Sequence, residues 1–239
     1  MPASNDTISK ANAGKTRRGV LYVVWPGPNV ERLLERSIAS VQKIHPELPI
    51  HIQRLPEGST LLDKARMYDF TPFRETLFLD ADTVILERLD FGFDQANRFG
   101  LACCICECPW ARRFTSLKGL GDLIEYNTGV LFFSHITKRL FDRWASIAKN
   151  LDSRLSFLRG DQICVMSEND QASFAEALRT DFYNPYVLPL NWNFRPTWQR
   201  LWFGDVKIWH DYADPLPGFL QWNKEQSQAD ALIQFAKVP

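Results

Sequence analysis

The sequence predicts a single three-layer α/β domain built on a mainly parallel, mixed sheet. Three observations carry this. The chain opens with a strand, a helix and a second strand, the order that generates parallel sheets. Its later strands are short apolar runs that end in polar motifs, as strands covered by helices do. A length of 239 residues, 45% of them hydrophobic, suffices for one large core.

Residues 1–18 are small and polar, with Lys15, Arg17 and Arg18 near their end. They read as a loose tail ahead of a single domain over 19–239. GVLYVVW (19–25) is a continuous β-rich run, and Pro26-Gly27-Pro28 breaks it. Val30, Leu33, Leu34, Ile38, Val41 and Ile44 then recur at helical spacing until Pro46. IHI (50–52) is the second strand, and a short helix spans about 61–69. TLFL (76–79) is a strand that delivers Asp80-Ala81-Asp82. Further strands lie near 100–106 and at VLFF (130–133). Ser134 is placed to cap a helix over 136–149, whose apolar face is Leu140, Phe141, Trp144 and Ile147. Gly160-Asp161-Gln162 opens another turn or helix. VKIWH (206–210) is the last strand, and residues 225–236 form a C-terminal helix. The polar motifs fall at strand ends, where open α/β sheets bind ligands.

Composition excludes several functions. Lys plus Arg and Asp plus Glu number 28 each, so the chain lacks the excess positive charge that grips nucleic acid. No apolar run approaches the ~20 residues that span a bilayer, and the N-terminus has no secretory h-region. The basic trio leaves room for peripheral contact with anionic lipid. Cys103, Cys104, Cys106 and Cys108 crowd together, but a strand alternates faces and no second Cys pair completes a zinc site. Buried free thiols in a reducing cytoplasm are the expectation.

LFLDADTVI is the sharpest signal. Residues i and i+2 of an extended chain point the same way, so Asp80 and Asp82 can face one hard divalent cation. The competing reading is a solvated turn after a strand. Two enzyme classes place this pattern after an apolar strand. Phosphatases of the haloacid-dehalogenase type would use Asp80 as nucleophile, but their motif sits on the first strand, and here a β-α-β unit precedes it. Glycosyltransferases of the A-type nucleotide-diphospho-sugar fold instead hold a metal against the donor pyrophosphate. A sugar nucleotidyltransferase would need a Gly-rich, Arg-bearing loop after the first strand, which WPGPNVERLL does not supply.

The remaining segments resemble glycosyltransferase family 8, the group of glycogenin and the bacterial lipopolysaccharide galactosyltransferases. Lys64-x-x-Met67 ahead of FRETLFLDADTVILERLD is similar to the family's basic residue and metal block. EYNTGVLFFS resembles its Asn-x-Gly strand entry, Asp161-Gln162 its Asp-Gln pair, and VKIWHDY its late strand ending in a metal-ligand His. The likeness covers roughly 19–215. It implies a three-layer GT-A domain using Mn2+ (or Mg2+) held by Asp80, Asp82 and His210. It implies a UDP-glucose or UDP-galactose donor contacted by Lys64, the Asp80-Ala81-Asp82 turn, Asn127 and Gly129, with Trp25 stacked on the base. Asp161 and Gln162 would be the catalytic pair, and a carbohydrate or glycolipid would accept the sugar with retained configuration. The family's Lys after the His motif is missing here, and Glu107 stands where its sugar-binding acid is sought. The Trp-rich stretch 192–209 reads as core or as an acceptor groove. A degenerate sugar-nucleotide-fold binding protein is the non-enzymatic alternative.

Overall fold

A computed structural model describes residues 16–106, 124–199 and 204–227. Strand β1 (Thr16–Val24) is followed by α1 (Val30–Ile44) and β2 (Ile50–Arg54). A 3-10 helix (Leu61–Arg66) runs into one α turn, α2 (Met67–Phe70), and then β3 (Phe73–Leu79) and β4 (Thr83–Ile85). Helix α3 (Asp90–Phe99), β5 (Leu101–Ile105), β6 (Tyr126–Ser134) and α4 (Lys138–Ala148) come next. The chain continues through β7 (Leu155–Arg159), β8 (Gln162–Met166), α5 (Asp170–Thr180), β9 (Tyr186–Val187), β10 (Ile208–His210) and α6 (Pro217–Ser227).

Six strands form the main sheet in the order β2-β1-β3-β6-β5-β9. Only β6 runs against the others. The two faces of β1 show the three layers. Val20, Tyr22 and Val24 pack with Leu34 and Val41 of α1 and Phe93 of α3. Leu21 and Val23 pack on the opposite face with Leu140, Phe141 and Trp144 of α4 and Phe174 of α5. The continuous apolar reading of β1 arises because both its faces are covered. Fully burying one such side chain stabilises the fold by about 1.5–3 kcal/mol. Trp144 keeps its indole N–H satisfied on Ser173 Oγ at 2.9 Å.

Several elements differ from the sequence expectation. β1 begins at Thr16, so Arg17 and Arg18 lie in a strand and pair with Glu75, Arg18 also with Asp94. Arg18 is largely covered by these pairs, whereas the Arg17 side chain remains 76% exposed. Ser134 precedes a 3-10 turn (His135–Thr137) and makes no side-chain cap. VKIWH yields only the three-residue β10, which pairs antiparallel with β4 rather than joining the main sheet. A helix lies at Pro217–Ser227; residues 228–236 of the C-terminal helix expected over 225–236 lie outside the described residues. Cys103, Cys104 and Cys106 are buried, as expected, and burial pushes the Cys103 pKa up. Glu107, Cys108 and Trp202 lie outside the described residues.

Candidate functional site

The carboxyl ends of parallel strands β1 and β3 and the start of antiparallel β6 meet at one edge of the sheet. Asp80 leaves β3 there, and its N–H bonds Gly129 O at 2.8 Å. The pairing of β4 with β10 then brings His210 opposite Thr83. His210 Nε2 lies 3.3 Å from Asp82 Oδ1 and 3.9 Å from Asp80 Oδ2. One ligand atom from each of the three residues lies within 4.8 Å of the others.

The histidine tautomer follows from a chain of hydrogen bonds. Gly129 N–H can only donate, and it donates to Asn127 Oδ1 at 2.9 Å. The same oxygen accepts from Asn193 Nδ2 at 2.8 Å. Asn193 therefore turns Oδ1 toward His210 Nδ1, 2.7 Å away, and that nitrogen carries the proton. The lone pair of Nε2 is left facing two carboxylates. A cation between them converts repulsion into ligation.

Charge points the same way. Lys64 is buried and holds Asp80 Oδ1 at 2.9 Å and Asp170 Oδ2 at 3.4 Å. Burial acts to lower the Lys64 pKa, but Asp170 and Asp80 outweigh it and raise it. Three carboxylates (Asp80, Asp82, Asp170) against one ammonium leave two negative charges uncompensated. Burial, with the Asp82 charge adding to it, pushes the Asp80 pKa up despite Lys64 and His210. Burial acts to raise the Asp82 pKa, but the charge and hydrogen bond of His210 in its protonated, metal-free form outweigh it and hold the carboxyl at about 2; a cation on Nε2 takes the place of that proton. The donor set of two carboxylate oxygens and an imidazole, short by two positive charges, fits a divalent ion.

Gly129 belongs here for steric reasons. A Cβ on it would meet His210 Cε1 at 2.4 Å and Asp80 Oδ2 at 2.6 Å. Asn127 is a buried brace of the histidine network, and Ala81 is half-buried between the two aspartates. Trp25 is half-buried at the end of β1, its indole N–H donating to Thr60 O at 2.8 Å. Trp192 and Trp209 are buried in core clusters, which favours the packing reading for both.

Asp161 and Gln162 are not brought to this cluster. They sit exposed at the turn of the β7–β8 hairpin, and no described hydrogen bond or ion pair joins them to Lys64, Asp80, Asp82 or His210. A second Asp-Gln pair, Asp170-Gln171, opens α5 beside Lys64. Asn169 caps this helix through Gln171 N–H at 3.0 Å. Thr128 Oγ1 donates to Asp170. Gln171 is 9% exposed, and its Oε1 has no partner among the described residues. The Asn cap before an alanine-rich helix was the sequence signal for this pair. Asn193 gave none, since its role depends on His210 arriving from another strand.

A second cluster, His45, Glu47 and Asp90, is also compact enough to suggest a metal. There Leu89 N–H donates to His45 Nε2 at 2.9 Å, and Nδ1 faces Glu47 at 2.9 Å. Arg88 joins Glu47 to Asp90. Both ring nitrogens are occupied, and the cluster is a satisfied structural network.

No protein-family model matches the chain, and no curated protein matches it. Solved structures do. GlyE, a glycosyltransferase of Streptococcus pneumoniae TIGR4, superposes with a TM-score of 0.51 at 16% identity. The match covers 93% of this chain and 63% of GlyE, so this chain spans less than two thirds of that protein. Mouse xyloside xylosyltransferase 1 gives a TM-score of 0.55 at 12% identity, covering 84% of this chain and all of that one. The galactosyltransferase LgtC, solved with donor and acceptor sugar analogs, gives 0.54 at 14%, covering 87% and 95%. The fold is thus that of A-type nucleotide-diphospho-sugar transferases, as the sequence predicted.

Proposed function

We propose that the chain is a metal-dependent glycosyltransferase of the family 8 type. It moves glucose or galactose from a UDP donor to a carbohydrate or glycolipid acceptor, with retention. The observation that carries this reading is His210 Nε2, whose lone pair faces Asp82 and Asp80 across a site short of positive charge. A bound divalent ion, Mn2+ on this mixed oxygen and imidazole set, supplies Lewis-acid stabilisation of the diphosphate leaving group.

The chain's own residues have definable tasks. Asp80, Asp82 and His210 hold the ion, and Asn193 keeps the imidazole in its ligating tautomer. Lys64 offsets the carboxylates between Asp80 and Asp170 and adds positive charge beside the diphosphate. Asp170 and Gln171 take the part first expected of Asp161 and Gln162. The Gln171 carbonyl is a buried acceptor without a described partner, suited to a sugar hydroxyl. Asp170 is engaged by Lys64 and Thr128, so it is a poor nucleophile for double displacement. Retention then proceeds on the front face, where the departing phosphate oxygen accepts the acceptor's proton. Trp25 offers its indole to the uracil. Among the described residues no helix is long and apolar enough to cross a membrane. A cytoplasmic site of action, with peripheral access to a lipid-linked acceptor, completes the proposal.

The test is a nucleotide-sugar panel with and without Mn2+, following UDP release by wild type, Asp82→Ala, Asp170→Asn and Asp161→Asn. Mn2+-dependent release from one UDP-sugar, lost in Asp82→Ala and Asp170→Asn and kept in Asp161→Asn, is expected. Binding without turnover would support a degenerate binding protein. Asp80-dependent hydrolysis of a generic phosphate ester would support the phosphatase.

A further inference from the structure

Helix α1 faces the metal turn with polar side chains. Ser40 Oγ accepts from Ile85 N–H at 2.9 Å. Ser37 Oγ bonds Thr83 Oγ1 at 3.0 Å, and Thr83 in turn donates to Asp80 O at 2.9 Å. Because Thr83 spends its only proton on Asp80, Ser37 donates to Thr83, and Tyr22 donates to Ser37 at 2.8 Å. These contacts hold only the Asp80–Ile85 side of the site.

Arg36, one residue before Ser37, reaches both sides. Its Nη2 donates to Asp82 O at 3.1 Å and to Asp211 O at 2.6 Å. Its Nη1 donates to Tyr212 O at 3.1 Å and to Asp214 Oδ1 at 2.9 Å. The Arg36 side chain is 15% exposed. One guanidinium thus binds the carbonyl of one candidate metal ligand and that of the residue immediately after another, His210. Asp211 N–H closes the junction on Asp82 O at 3.0 Å. All four Nη hydrogens go to protein acceptors, so this group is not the phosphate contact that the missing family Lys would make.

We infer that Arg36 is a positioning residue that sets the distance between the Asp80–Asp82 turn and His210. The inference rests on the metal-dependent reading proposed above. Three carbonyls in two segments converge on one planar fork, a geometry that guanidinium meets and ammonium does not. Without the fork, β10 can drift from β4 by the fraction of an ångström that separates a ligating from a non-ligating Nε2. Outer-shell partners of metal ligands typically control about 10–100-fold in metal affinity.

The test compares wild type, Arg36→Met and Arg36→Lys by two readouts. One is the Mn2+ dissociation constant from electron paramagnetic resonance. The other is amide exchange at Asp211 and Ala213 in metal-free protein. Arg36→Met is expected to weaken Mn2+ binding about 10–100-fold and to speed exchange at both amides, with Arg36→Lys between it and wild type. Unchanged Mn2+ affinity in folded Arg36→Met overturns the inference, even if exchange is faster, because Arg36 is then a stability contact only. If Arg36→Met does not fold, Arg36→Lys decides, and wild-type affinity there overturns it. Wild type that binds no Mn2+ overturns the proposed function and this inference together. Wild type that binds, beside an insensitive variant, overturns the inference alone.

Discussion

Replacing Gly129 with Ala adds one methyl group at the most crowded point of the site. The new Cβ would stand 2.4 Å from His210 Cε1, 2.6 Å from Asp80 Oδ2 and 3.1 Å from Asn127 Oδ1. Carbon atoms in contact prefer about 3.5–4.0 Å, so His210 or the strand carrying residue 129 must shift by roughly 1 Å. The backbone at Gly129 is not left-handed, so the cost is steric rather than conformational. Overpacking of this kind costs about 1–3 kcal/mol. In a chain of this size that lowers Tm by roughly 2–12 °C. The functional loss is larger than the stability loss. A displacement of about 1 Å in a catalytic constellation costs on the order of 100-fold. The assay measures Mn2+ affinity and UDP-sugar turnover well below the variant's Tm. Gly218→Ala is the control, because a Cβ there meets nothing within 4 Å and lies in α6. It should leave both readouts unchanged and Tm equal or higher. A folded Gly129→Ala protein with wild-type Mn2+ affinity and turnover would refute the placement of the site.

Three other perturbations separate the site's parts. Asn193→Leu removes the acceptor that fixes the His210 tautomer, and Mn2+ affinity measured by titration calorimetry should fall about 10–100-fold. Lys64→Met leaves buried Asp170 and half-buried Asp80 without their cation; urea unfolding should show a loss of up to about 3–5 kcal/mol, part of it restored by saturating Mn2+. Glu47→Gln tests the second cluster. His45 first, then the backbone N–H of Glu47 itself, and then Arg88 hold the Glu47 carboxyl at about 2, down from 4.5. A depressed carboxyl contributes stability above its unfolded pKa and loses it as pH falls toward the folded one. The stability gap between wild type and Glu47→Gln should therefore be constant above pH 4.5 and close between 4.5 and about 2, as followed by urea midpoints.

The main layers were legible because their signals are local. β1 reads as continuous apolar sequence because helices cover both faces. α1 announces its apolar stripe at helical spacing and ends at Pro46. Asp80 and Asp82 follow an apolar strand and His210 ends one, and the family resemblance implied that the three meet. The Asp-Gln pair was harder. Two such pairs lie nine positions apart, and the first reads as opening a turn or helix and resembles the family's pair. The ICVM after it forms a strand in a two-stranded hairpin where Ile163 and Val165 are 74% and 63% exposed. The distinguishing features lay around the second pair: the Asn169 cap, and Ala172, Ala175 and Ala177, small enough for α5 to pack closely on its neighbours.

What the sequence does not carry is the orientation of the ligands. Arg36, Ser37 and Ser40 look in a helical projection like the flank of an ordinary amphipathic helix. Their partners at 82–85 and 211–214 are more than 40 residues away, and only the closed fold brings them together. The same holds for Asn193, which reaches His210 only because Phe194 O accepts from the His210 N–H at 2.8 Å and aligns the two segments. Residue types that bind a metal follow from its chemistry, and their spacing can be read along the chain. The tautomer of His210 and its distance from Asp82 are instead set by neutral amides, a hydroxyl relay and one guanidinium. These groups bind no ion themselves, so a search for ligand motifs passes over them, yet they decide whether three suitable donors make one site.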